Sequence, residues 1–157
     1  RNNHNREENI HRLSSRLEAL GIDTFSPGAE TRRVYFEFIV RANPRKTGVP
    51  VDALLAAISA EGAQVSAPRY PLLHQQPFFT EGHFKTIARL GDGFPYPDYR
   101  KATLPGTEAV NRELLRLPLF LGAGRETVDR YADAFGKIIA HAPKVLAKWK
   151  DSSYNGE

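Results

Sequence analysis

At 157 residues, with 41% hydrophobic, 25% charged and 10% aromatic side chains, the chain can bury one modest core and is too apolar and varied for a disordered, collagenous or coiled-coil protein. The absence of Cys excludes a disulfide framework, a thiolate metal site and a Cys nucleophile, and fits a cytoplasmic setting. The net charge of +4 arises from mostly interspersed basic and acidic residues, with Arg32, Arg33, Arg41, Arg45 and Lys46 as the one-sided group, so a solvated mixed surface is expected and no nucleic-acid footprint.

The first segment places Ile10, Leu13, Leu17 and Leu20 at spacings of three and four, with Gly21 where a helix end would want it, and predicts an amphipathic helix. After a turn-rich link from Asp23 to Thr31, Val34, Phe36, Phe38 and Val40 alternate with Tyr35, Glu37, Ile39 and Arg41. Period two predicts a strand with one apolar face turned to helices and a wetter face opposite, as in an antiparallel layer. A loop over Asn43 to Pro50 leads to a helical stripe of Val51, Leu54, Leu55 and Ile58 ending near Gly62, then a short strand from Ala63 to Ala67.

From Pro68 to Pro105 regular structure thins. Six prolines are interleaved there with Tyr70, Phe78, Phe79, Phe84, Phe94, Tyr96 and Tyr99, the composition of loops that line a site or pack on another surface. Thr107 reads as the N-cap of a short helix through Val110, Leu114 and Leu115, and Leu117-Pro118-Leu119-Phe120 as a brief extended piece. Val128, Tyr131, Ala132, Phe135, Ile138 and Ile139 give a last helix with a clear apolar face, which Pro143 interrupts before a basic end. The expectation is one α+β domain over 1–157, a small, mostly antiparallel sheet covered by helices. The apolar stretches, such as Leu117 to Gly122, are far shorter than the ~20 residues of a membrane helix, and no signal-peptide pattern is seen. The chain holds no Met and starts at once in polar, helix-like residues, Arg1-Asn2-Asn3-His4, so it is expected to be a piece of a longer protein.

The motifs exclude more chemistry than they suggest. The five histidines lack a ligand pattern, there is no HExxH, and no metal site is expected. No serine lies in a nucleophile elbow, and neither a GxGxxG nor a GxxxxGK[ST] loop occurs. No catalytic residue is assigned. The distinctive stretch is Arg69-Tyr70-Pro71-Leu72-Leu73-His74-Gln75-Gln76-Pro77-Phe78-Phe79, where donors and acceptors sit between prolines that stiffen the backbone. Tyr70, His74 and Gln75 are candidates to hydrogen-bond a polyhydroxylated or phosphorylated ligand that the Phe rings would cover; packing aromatics and a histidine bound to a local carbonyl is the alternative.

The order of segments resembles the C-terminal domain of the DegT/DnrJ/StrS-type family of pyridoxal-phosphate-dependent sugar aminotransferases. The similar pieces are the helix Asn5-Arg6-Glu7-Glu8-Asn9-Ile10-His11-Arg12-Leu13, the strand Val34 to Arg41, the loop Tyr70-Pro71-Leu72-Leu73-His74-Gln75-Gln76-Pro77-Phe78, and Leu115-Arg116-Leu117-Pro118-Leu119 with the helix from Thr127. Together they span about residues 5 to 142. The resemblance implies the small domain of a fold-type I transaminase whose pyridoxal-phosphate-binding large domain is outside this chain. It implies a homodimer of the full-length enzyme, glutamate or glutamine as amino donor, and a keto-sugar or keto-cyclitol as acceptor bound near Tyr70 and His74. Lys46, Lys85, Lys101, Lys137, Lys144, Lys148 and Lys150 do not resemble the family's cofactor lysine, so the chain alone is expected neither to bind pyridoxal phosphate nor to transaminate. The competing expectation is a free-standing, non-catalytic ligand-binding or regulatory domain.

Overall fold

The computed structural model describes residues 2–89, 91 and 93–154, with side chains for 4–151 of these; Arg1 lies outside the described residues. It is α+β. In chain order the elements are α1 (Asn2–Ala19), β1 (Phe38–Arg41), α2 (Pro44–Thr47), α3 (Val51–Ala60), α4 (Pro77–Thr80), α5 (Phe84–Ala88), α6 (Pro105–Asn111), β2 (Leu114–Leu117), α7 (Arg125–Ala140) and α8 (Ala142–Tyr154). Two 3-10 turns, Leu73–Gln75 and Tyr99–Lys101, lie among them. The chain divides into two compact units, one of residues 1–67 and 113–157 and one of Pro68–Arg112. No helix of the described residues is long and apolar enough to cross a membrane.

The larger unit is built on the helical stripes that the spacing predicts. Ile10, Leu13 and Leu17 of α1, Leu54 and Ile58 of α3, and Val128, Phe135 and Ile138 of α7 are buried in one apolar cluster. Leu55 and Tyr131 pack half-buried against it. The sheet has two antiparallel strands in the register Phe38↔Leu117 and Val40↔Leu115, and all four of these side chains are buried. Gly21 turns the chain out of α1 at a φ of 81°, a conformation that L side chains resist.

Four readings of the sequence change here. The apolar alternation before β1 is not one continuous face: Val34 and Phe36 are 76% and 74% exposed, and Tyr35 is buried in their place. A bend at Phe36 and Glu37 reverses the parity, and the Tyr35 and Phe38 rings meet edge to face 6.0 Å apart. Leu114 and Leu115 belong to a strand and not to the preceding helix, because pairing with β1 overrides their local helical spacing. The segment from Ala63 to Ala67 contributes a single bridge, Ser66 to Arg116, which Arg116 reinforces by donating to Ser66 Oγ at 2.9 Å. Pro44 opens a one-turn helix inside the expected loop, capped by Asn43 Oδ1 on the Arg45 N–H.

Polar groups tie α1 to α7 and to the loop before it. Asn9 is buried, and its amide donates to the carbonyls of Phe120 at 3.1 Å and Ala123 at 3.0 Å, so the turn leading into α7 is satisfied from α1. Further along, Arg12 donates Nε and Nη2 to the two carboxylate oxygens of Asp129, each at 2.8 Å, and Arg16 reaches Asp133 at 2.6 Å. The Arg12 hydrogen bond, helped by the charges of Arg12 and Arg16, holds the Asp129 carboxyl below its ordinary range. A carboxyl lowered in the folded state stabilises above its unfolded pKa of about 3.9, and that contribution fades as acid protonates it. Asp129→Asn is therefore expected to lower the unfolding midpoint at neutral pH, with the gap to wild type closing toward about pH 2, as read by circular dichroism across pH. A gap that stays constant in acid would assign the effect to packing.

Candidate functional site

Within Pro68–Arg112 two prolines frame one turn. Gln76 is extended (φ −71°, ψ 145°), as a residue before proline should be, and Pro77 starts α4 where its missing N–H costs nothing. Between Pro71 and Pro77 the 3-10 turn Leu73–Gln75 inverts the usual sorting: Leu73 is 65% exposed while His74 is 6% exposed. His74 is the one buried residue among the described residues of this unit.

The inward histidine faces a carboxylate 34 positions on. His74 Nε2 lies 3.4 Å from Glu108 Oε1, beyond good hydrogen-bond length, and Nε2 has no hydrogen-bond partner. Glu108 stands in the first turn of α6, and its Oε1 accepts the Leu104 N–H at 3.0 Å. That backbone donor, with His74 next, holds the Glu108 carboxyl below the ordinary range. The helix starts at Pro105, so Thr107 lies inside it and not at its N-cap; Leu104 holds that position with no side-chain cap, and Glu108 reaches back to accept the Leu104 N–H. An imidazole nitrogen with spare capacity lies beside a carboxylate that can only accept, and a hydroxyl could bridge the two only where Nε2, closed to solvent here, is uncovered.

Tyr70, His74 and Gln75 are not brought together. Tyr70 is 59% exposed with the Arg69 guanidinium 5.8 Å from its ring centre, and Gln75 is exposed; neither hydrogen-bonds His74. The rings expected to cover a ligand are engaged with one another. Phe79 meets Phe78 at 5.0 Å, Tyr99 at 5.1 Å and Phe84 at 5.8 Å, and Phe84 also meets Tyr96 at 5.5 Å. This cluster does the work of a core, though all its members keep some exposure. Glu108 was not marked by any spacing, since only the fold of the unit sets it against His74.

The residues present do not form a site for covalently held pyridoxal phosphate. Such a site needs a lysine desolvated in a pocket, and all seven lysines of the chain are exposed. Lys137 pairs with Glu61, and Lys85 lies 5.6 Å from the Tyr96 ring centre. Among the described residues, no group of three His, Asp or Glu side chains is placed to hold a metal ion.

No protein-family model matches the chain, and no curated protein does. In three dimensions it is similar to the crystal structure of a DegT DnrJ EryC1 StrS aminotransferase from Brucella abortus, with a TM-score of 0.59 and 18% identity over 86% of this chain. The match covers 30% of that aminotransferase. At that identity the likeness establishes a shared fold.

Proposed function

We propose that this chain is the C-terminal small domain of a fold-type I, pyridoxal-phosphate-dependent aminotransferase that passes an amino group from glutamate or glutamine to a keto-sugar or keto-cyclitol. The observation that carries this reading is the fold shared with the Brucella abortus aminotransferase over 86% of this chain and 30% of that one, the share a small domain would occupy. The motif order read from the sequence, Tyr70 to Phe78 above all, points independently to the same family. In this reading the large domain of the same cytoplasmic polypeptide holds the cofactor, two copies form the working dimer, and His74 with Tyr70 and Gln75 lies toward the sugar. Pyridoxal phosphate, when bound there, supplies the electron sink for moving the amino group. This chain supplies hydroxyl-binding groups, His74 with Glu108 beside it at 3.4 Å.

The test uses the longer polypeptide that carries this sequence, supplied with pyridoxal phosphate and glutamate. Release of 2-oxoglutarate that continues only when a keto-sugar or keto-cyclitol is present is the expected result. The 157-residue chain alone is expected to give no turnover. Turnover by that chain, with a borohydride-reducible adduct on one specific lysine, would overturn the proposal. Tight sugar binding by a polypeptide that never transaminates would favour a ligand-binding or regulatory domain.

A further inference from the structure

In the larger unit, the link between α1 and β1 gathers three arginines around a cavity of about 150 Å³ lined by Arg6, Glu7, Arg32, Arg33, Val34 and Tyr35. Arg32 Nη2 donates to Glu7 Oε2 at 3.0 Å, which offsets one positive charge. The other two arginines have no carboxylate partner among the described residues. Arg6 Nη1 donates to the Tyr35 carbonyl at 2.6 Å, and its Nε is buried without an acceptor. Arg33 Nη1 donates to the carbonyls of Thr24 at 3.1 Å and Phe25 at 2.9 Å, and its guanidinium lies 4.6 Å from the centre of the Tyr35 ring. Backbone carbonyls fix the two guanidiniums in place and leave their charge unbalanced. Both side chains are half-buried, where uncompensated charge is costly, and the buried Arg6 Nε without an acceptor adds to that cost.

We infer that this cavity takes a phosphoryl oxyanion, either inorganic phosphate or the head of a small phosphate monoester. Three guanidiniums and one carboxylate leave a surplus of two positive charges, close to the charge of about −2 on a phosphoryl group near neutral pH. A guanidinium's flat fork can present two N–H groups to two phosphoryl oxygens, which a lysine ammonium would not do, and of the Arg33 fork only Nη1 is committed to backbone carbonyls. The inference rests on the link after α1 and is independent of the aminotransferase reading.

The experiment is a titration of the nitrogen-15-labelled 157-residue chain at constant ionic strength with inorganic phosphate, glycerol phosphate and acetate, following the arginine Nε–H resonances. Arg6 and Arg33 are expected to shift saturably with the phosphate compounds while Arg12 and Arg16, held by Asp129 and Asp133, stay in place. Acetate should need a concentration about tenfold higher, and Arg33→Gln should weaken phosphate about tenfold, the size of one charged hydrogen bond. Arg32→Gln is the companion variant; its side chain is 68% exposed, so folding is spared, and it too should weaken binding because Glu7 is left unneutralised. Tighter binding of glycerol phosphate than of phosphate would mark a monoester site, and the reverse a free-anion site. Shifts that never saturate, an equal response to acetate, or wild-type affinity in both variants would overturn the inference.

Discussion

Phe38→Ala is expected to bring the fold close to collapse, while Phe36→Ala, two positions earlier in the same apolar alternation, should leave stability nearly unchanged. Phe38 is fully buried, pairs in register with Leu117 and shares the cluster with residues of α1, α3 and α7. Truncating such a ring removes its transfer free energy and leaves a void, together about 3 to 5 kcal/mol, against a total stability of about 5 to 15 kcal/mol for a domain of ordinary size. In a chain of this length that corresponds to a fall in Tm of about 6 to 20 °C, measurable by circular dichroism. Phe36 is 74% exposed at the bend, so most of its ring stays in water whatever it touches, and its loss should be about 0.5 kcal/mol or less. Equal losses at the two positions would mean that the strand extends through Phe36 and that the bend is wrong.

This pair also shows what could be read from the sequence. Helical stripes were legible wherever burial repeats at three and four: Ile10, Leu13 and Leu17, or Val128, Phe135 and Ile138, are buried as their spacing requires. Period two was legible only within a strand that has a partner. Val34 to Val40 reads as one run, yet its first half has no ladder and bends, so the buried position moves from Phe36 to Tyr35. Leu114 and Leu115 carry the opposite lesson, since a helical spacing from Val110 gave way to pairing with Val40 and Arg41. The candidate site was half legible. Prolines 71 and 77 announced a stiff turn, but which of its side chains faces inward, and that Glu108 meets it, depends on contacts between segments far apart in sequence.

In the complete aminotransferase proposed above, His74→Ala is expected to raise KM for the keto-sugar while the half-reaction with the amino donor changes little. His74 is buried beside Glu108 with an unsatisfied Nε2, so a substrate hydroxyl that reaches it finds a directed polar contact shielded from water. Leaving such a contact without a partner costs about 1 to 3 kcal/mol, or about 5-fold to 150-fold in KM if the interaction is equal in ground and transition states. The same burial makes His74 a packing residue, so the alanine variant should also lose thermal stability, and stability alone does not separate the two roles. His74→Gln does separate them: it fills much of the volume and keeps a donor and an acceptor, and should recover part of the KM. Recovery of Tm without recovery of KM would tie the contact to the imidazole itself. Full activity and unchanged KM in His74→Ala would make the histidine a packed loop residue, and equal damage to both half-reactions would move it from the sugar to the cofactor or the core.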